Sequence, residues 1–196
     1  MPLSTRSLES APDNPAPKEI LFFTGRNYWL SNFLESPLKA KLLGSVRDFQ
    51  SVEQLFQAAK ILFLSVSPEV KEELLDKFLN SKTPGDVKRL GRRLSGLDVE
   101  SWDACKDRVM TLSVEAKFLQ NVKLRKMLLG LEGYHLEEGN NHGDRYWGKV
   151  KGKGKNMLGE ILMDFRDRLS SAIAEGTVKD HFVKIPDFDA ILGAHK

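Results

Sequence analysis

Lysine, glycine and aromatic residues crowd one short stretch, Tyr146-Trp-Gly-Lys-Val-Lys-Gly-Lys-Gly-Lys-Asn156. Gly148, Gly152 and Gly154 would each cost about 1 kcal/mol in a helix interior, so this half is loop. The residues after it change character. Met157, Leu158, Ile161, Leu162 and Phe165 recur at helical spacing, and Asn156 stands at the N-cap position. A flexible backbone that delivers Lys149, Lys151, Lys153 and Lys155 to a helix N-terminus suits an anion, through N–H groups, the helix dipole and ammonium charge. Lys153, Gly154 and the Asn156 backbone are the candidate phosphate contacts. Tyr146 and Trp147 offer flat faces to a ring. Anion plus ring points to a nucleotide. The spacing fits neither a Walker A loop, which needs one more residue between glycines and a Ser or Thr after lysine, nor Gly-x-Gly-x-x-Gly. A solvated, lysine-rich hairpin tip ahead of a core helix has the same composition, and both readings stand.

A second set of reactive side chains lies on the first strong helix. Ser51-Val52-Glu53-Gln54 reads as a capping box, with Val52, Leu55, Phe56, Ala59, Leu62 and Phe63 as the buried stripe. Glu53, Gln57 and Lys60 share another face, either solvated or turned to a site. In the first turn Glu53 feels the positive helix end, which keeps a carboxylate ionised and able to stabilise a developing cation. A second basic cluster, Lys88, Arg89, Arg92 and Arg93, follows a helix start at Thr83-Pro84. It is a wet helix face or, at Arg92 beside Gly91, a phosphate contact. Residues 26–33 are too polar for a strand and too aromatic for a plain loop. Such a mix lines a site or forms a small satellite core, and Asn32 and Phe33 are its site candidates. Trp102 is a ring or ribose contact, or core.

The elements that must position these groups are mostly helical. Short strands are expected at 20–23, at 38–43 with a turn at Gly44, and at 134–138. Helices are expected from residue 51, over 68–80, from 84, over 101–122, over 124–131 and from 157 to about 175. Residues 1–17, broken by Pro2, Pro12, Pro15 and Pro17, read as a disordered leader; 18–175 form one domain, and 176–196 a docked tail. The fold class is α+β, a helix-dominated single domain with a few short strands. The chain has 196 residues, 41% of them hydrophobic and 29% charged, with 30 basic against 27 acidic side chains. A net charge of +3 is too small for general nucleic-acid binding, so any positive field is local. Cys105 alone makes neither a disulfide nor a cysteine zinc site, and the four histidines show no metal-ligand spacing. No metal or cofactor is expected. No membrane-length apolar run or signal segment appears, which points to the cytoplasm or nucleus.

Several pieces, in this order, resemble the NADAR (NAD- and ADP-ribose-associated, or YbiA-like) family over roughly residues 19–171. They are Leu30-Ser31-Asn32-Phe33, then Ser51-Val-Glu-Gln-Leu-Phe-Gln-Ala-Ala-Lys60, Gly91-Arg92, Trp102, and Ala116-Lys117-Phe118. Leu124-Arg125, Asp144-Arg-Tyr-Trp-Gly148 and Gly154-Lys-Asn-Met-Leu-Gly159 follow. Two positions depart from the family pattern. Leu30 stands where a Phe often precedes Ser-Asn-Phe, and Gln54 stands where His is frequent. The resemblance implies hydrolysis of N-glycosidic bonds, in ADP-ribose attached to guanine of a nucleotide, DNA or RNA, or in early riboflavin-pathway intermediates. It also implies site roles for Asn32, Phe33, Asp144, Tyr146, Trp147 and Gly148. A non-catalytic ADP-ribose reader using the same pocket is the alternative outside enzymes.

In that chemistry Glu53 is the carboxylate for an oxocarbenium-like transition state. Lys155 is the candidate for an imine intermediate. Lys149, Lys151, Lys153 and the helix dipole all disfavour another ammonium charge there, which favours the nucleophilic amine. A charged Lys155 that only clamps phosphate is the competing role.

Overall fold

The computed structural model describes residues 19–25, 28–178 and 183–193. The leader expected over 1–17 lies outside the described residues, as do Arg26 and Asn27 of the aromatic segment.

The chain opens with β1 (Ile20–Phe23), whose partner is β4 (His135–Glu138), more than a hundred residues on; the pair is parallel, Ile20 against His135 and Phe23 against Glu138. Between them comes a hairpin, β2 (Leu38–Leu42) and β3 (Ser45–Phe49), closed by Leu43 and Gly44 at φ 52° and 77°. Positive φ at both central residues matches the right-handed strand twist and favours glycine at the second. The strand β3 is an addition to the sequence reading. Only Phe49 among its residues is buried, so no alternating pattern marks it.

The helices follow in order. α1 (Val52–Ala58) runs into a 3-10 turn, Ala59–Phe63. Then come α2 (Pro68–Leu79), α3 (Pro84–Arg92), α4 (Val99–Gln120), α5 (Val122–Leu129), α6 (Met157–Ala174) and α7 (Asp189–Gly193). Their starts are chemically legible: Ser51 accepts from the Gln54 amide, Thr83 from Asp86, and Pro84 needs no amide partner. The long helix begins at an Asp98 cap rather than at Ser101. The capping box is half formed, because the Gln54 side chain accepts from the Gln50 amide (2.7 Å), not from Ser51.

α4 is the axis of the body. Val109, Val114 and Phe118, each at most 1% exposed, meet the stripe of α1, the inner face of β2, and Phe165 on α6. Beyond α6, the Lys41 amide donates to Pro186, the Phe188 amide donates to Lys41, and Phe188 and Ile191 are buried. Asp189 accepts from the Leu43 and Gly44 amides, both at 2.8 Å, which ties this segment to the hairpin turn. The result is an α+β fold dominated by helices.

Candidate active site

Three helices each turn one stripe toward a common hollow. α1 and its 3-10 extension present Glu53, Phe56, Gln57 and Lys60; α3 presents Lys88 and Arg92; α4 presents Trp102, Lys106 and Met110. Spacings of three and four residues put each set on one face. Asn32 and Phe33 close one side, and Glu138, Asp144 and Trp147 the other, around a cavity of about 220 Å³. Phe33 also borders a second, wider cleft of about 440 Å³, floored by Gln50, Gln54, Thr83 and Val87.

The solvated-face reading of Glu53 and Gln57 is overturned: each is only 5% exposed. Gln57 donates from Nε2 to Glu53 Oε1 at 3.0 Å. Its own Oε1 finds no donor among the described residues and packs on Gly91 of α3, where a Cβ would lie 2.9 Å from the Gln57 Cδ. Glycine at 91 is therefore what lets α3 approach α1. The expectation that the helix end keeps Glu53 ionised is contradicted, because the net shift runs toward the neutral acid. Burial dominates and pushes the Glu53 carboxyl up, and Lys88, the Gln57 hydrogen bond, Lys60 and Arg92 pull it back.

Lys60 is half-buried in the same hollow, its ammonium 5.4 Å from the Trp102 ring centre. Burial lowers its pKa; Glu53 opposes, while Arg92 and Lys88 push the same way. Trp102 is 7% exposed and packs at a tilt on Phe56 at 5.2 Å and edge-on against Phe63 at 5.5 Å, so it is core and cavity wall at once. Trp147 meets Phe56 edge-on at 5.4 Å. Arg92 sits exposed at the rim.

The side holding Asn32 is anchored from beneath. Lys117 on α4, 1% exposed, donates to the carbonyls of Trp29 (2.8 Å) and Ser31 (2.9 Å), and Glu53's amide donates to the Asn32 carbonyl (3.0 Å). With no counter-charge among the described residues, burial brings the Lys117 pKa down to about 7. Asn32 gives its Nδ2 to the Met110 sulfur at 3.2 Å, and its buried Oδ1 has no donor among the described residues. An acceptor of this kind beside a cavity suits a ligand hydroxyl or N–H, because an unmade bond there costs about 1–3 kcal/mol.

The basic glycine loop does not form the anion cradle its composition suggested. Val150 and Lys153 exchange both backbone hydrogen bonds across Lys151 and Gly152, at φ 49° and 75°, so the lysine-rich tip is a tight hairpin turn. The Lys155, Met157 and Leu158 amides donate to the carbonyls of Arg145, Tyr146 and Trp147 (2.8, 3.1 and 2.9 Å). The first turn of α6 thus spends these N–H groups on its own chain. Asn156 is not a side-chain cap either. It is 1% exposed in the left-handed region (φ 58°), and its carboxamide accepts from the Glu138 amide (2.9 Å) and donates to the Leu136 carbonyl (2.8 Å). It therefore docks α6 onto the free edge of β4.

Of the residues singled out in the sequence, Asn32, Phe33, Glu53, Arg92, Trp102, Asp144 and Trp147 line the cavity, whereas Tyr146, Gly148, Lys153, Gly154, Lys155 and Asn156 do not. Lys155 is exposed, with Nζ 4.9 Å from the centre of the Tyr146 ring. Lys106, which does line the cavity, lies 4.5 Å from the same ring. Asp144 serves the loop as well as the cavity, accepting from the Tyr146 and Trp147 amides at 3.0 and 2.9 Å. Sequence reasoning missed Lys106, Met110 and Glu138, and named Gln57, Lys60 and Lys88 without a role. For Gln57 and Lys60 the signal was present, as partners of Glu53 on one helix face.

The family model described as the NADAR domain matches residues 21–170. The N-glycosidase YbiA of Escherichia coli is 33% identical over 141 residues, 71% of this chain and 80% of that protein. The chloroplastic riboflavin biosynthesis protein PYRR of Zea mays is 30% identical over 135 residues, 66% of this chain but 21% of that much longer one. The NMR structure of E. coli YbiA shares the fold with a TM-score of 0.65 at 30% identity, covering 82% of this chain and 94% of that one.

Proposed function

The chain belongs to the NADAR domain family and is an N-glycosidic bond hydrolase; we propose that its substrate is ADP-ribose joined to guanine, in a nucleotide or a nucleic acid. The observation that carries this reading is a buried carboxylate, Glu53, and a half-buried lysine, Lys60, in one cavity ringed by Lys88, Arg92 and Lys106. Cations at the rim suit phosphates, an unpaired Asn32 oxygen suits a ribose hydroxyl, and Trp147 suits a ring. Size argues the same way. Ligand pockets commonly span about 300–1,000 Å³, so a cavity of 220 Å³ takes the ribose and its near phosphate, and the rest of a dinucleotide extends past Phe33 into the 440 Å³ cleft.

In the chemistry we infer, Glu53 stabilises positive charge as it grows at the anomeric carbon, a charge absent from the ground state. The imine role passes from Lys155 to Lys60. An amine attacks only when neutral, and Lys60 combines a lowered pKa with a position in the cavity. The Lys60 nitrogen adds to the anomeric carbon as the guanine nitrogen departs with a proton; a proton of the new ammonium passes to the ring oxygen as the ring opens to the imine, and water then releases the sugar and restores the amine.

The test is parallel incubation with ADP-ribosylated guanosine, ADP-ribosylated DNA and the ribosylated pyrimidine precursors of riboflavin, following free sugar. Borohydride in the same mixtures should reduce an adduct onto Lys60, and Lys60→Arg should abolish it, since arginine keeps the charge but forms no imine. Adduct at Lys155 with none at Lys60 would reverse the assignment. The likeness to the maize riboflavin biosynthesis protein favours a second reading, an N-glycosidase for riboflavin-pathway intermediates. Turnover of those precursors alone would establish it.

A further inference from the structure

We infer that Glu138 is a second catalytic carboxyl, the acid that protonates the departing base nitrogen. The inference rests on the N-glycosidase reading of this cavity and assigns it a residue that the sequence did not single out. Glu138 ends β4 at the cavity wall. Its backbone is fully engaged, the amide donating to Asn156 Oδ1 and the carbonyl accepting from the Lys149 amide at 2.7 Å. The carboxyl itself has no hydrogen-bond or ion-pair partner among the described residues. Gly148 makes room for it: a Cβ there would stand 2.6 Å from the Glu138 carbonyl oxygen and 3.1 Å from its Oε2.

Its surroundings divide two carboxyls of one cavity into unlike roles. Glu53 on α1 has a hydrogen-bond donor, Gln57, and three cations, Lys88, Lys60 and Arg92. Glu138 faces Asp144 from the following loop and Glu53 from α1, with Lys88 from α3 as the opposing cation among the described residues. On its own strand, Glu137 is held by Lys149 and lies 3.3 Å from the His135 Nε2. Glu53 thus has a donor and cations that favour its ionised form, and Glu138 has fewer, which makes Glu138 the better placed acid. Burial, and after it Asp144, push the Glu138 carboxyl up to about 7. Carboxyl pairs split by environment in this way are the usual basis of an acid and an ionised partner at neutral pH.

The step balances. The electron pair of the bond between the anomeric carbon and the base moves to the base nitrogen, which takes the Glu138 proton. The positive charge left on the sugar is met by Glu53 and taken up as the Lys60 nitrogen adds to the anomeric carbon. The Glu138 carboxylate then accepts a proton from the water that completes hydrolysis, so base and sugar leave and the acid is restored.

Glu138→Gln, assayed on whichever N-riboside the native protein cleaves, should lower kcat by about 100- to 10,000-fold with KM changed little. The native rate should fall as pH rises through about 7, and that alkaline limb should vanish in the variant. A variant kcat within threefold of native, or an alkaline limb that persists, overturns the assignment while leaving the N-glycosidase reading intact. Native protein that cleaves none of the N-ribosides refutes that reading, and the role of Glu138 with it. The second measurement needs no variant. Carbon-13 labelling should show the Glu138 carboxyl of the native protein titrating near neutrality, and a carboxyl ionised throughout pH 5–8 overturns the proposal even where Glu138→Gln fails to fold.

Discussion

Replacing Gly91 with alanine tests how the Glu53 carboxyl is held. The exchange alone favours α3, since alanine is about 1 kcal/mol better than glycine in a helix interior. The added methyl has no room. It would press into the Gln57 carboxamide, 2.9 Å from Cδ and 3.3 Å from Cβ, and Gln57 is a buried residue bonded to Glu53. Forcing a methyl into a packed site costs about 1–3 kcal/mol. Swinging Gln57 aside leaves a buried Glu53 oxygen without its donor, about 1–3 kcal/mol. The clash and the lost bond match or outweigh the propensity gain, for a net loss of roughly 1–5 kcal/mol, or about 2–20 °C in Tm for a chain of this size. Glu53 should lose its orientation together with Gln57, so kcat should fall more than binding. Thermal unfolding and kcat would be measured for Gly91→Ala, Gln57→Ala and the double variant. If Gln57 is the obstacle, Gly91→Ala should cost little stability in the Gln57→Ala background, a coupling that the cycle reads directly. A Gly91→Ala protein with raised Tm and native kcat would refute the reasoning, because Gln57 would then be neither locked nor needed.

Other expectations follow from the same contacts. Glu53→Gln keeps shape and removes charge, so turnover should collapse while ADP-ribose binding by calorimetry stays within a few fold; native turnover would remove Glu53 from the chemistry. Arg92→Ala should weaken ADP-ribose binding by about 1 kcal/mol, the low end for a charge-assisted bond, because Arg92 is exposed, and the loss should shrink in high salt. Lys117→Met should leave the Trp29 and Ser31 carbonyls without their donor, costing about 2–4 kcal/mol in chemical denaturation and loosening the Asn32 side of the cavity. Lys117 also sets a pH dependence. Its pKa is about 7 folded against 10.5 for a lysine in water, so between these values the unfolded chain holds the extra proton. Stability from this group should therefore rise with pH over that window, by up to about 1.4 kcal/mol per pH unit, and be flat below it. Lys117→Met should remove that rise.

Local chemistry was legible in the chain because it is read within a few residues. Ser51 and Thr83 cap their helices as their positions imply, Pro84 opens α3, and the stripe Val52, Leu55, Phe56 and Ala59 is buried. β3 escaped because four of its residues face outward or nearly so and only Phe49 turns in. Register with β2, not pattern, makes it a strand.

The sequence by itself determined a helix-rich α+β chain, the helix carrying Glu53, Gln57 and Lys60 on one face, and the family whose ordered motifs it bears. Only the tertiary structure decided which charges meet. Lys60, Lys88, Lys106 and Glu138 come from four separate elements, and no spacing along the chain relates them. The basic loop shows the converse. Its lysines and glycines advertise N–H donors and positive charge, but the acceptors are carbonyls of Arg145, Tyr146 and Trp147, which the chain brings back to the start of α6. A donor's partner is a matter of distance in space. That is why composition suggested an anion site where the fold made a hairpin, and why the lysines at the cavity are Lys60, Lys88 and Lys106.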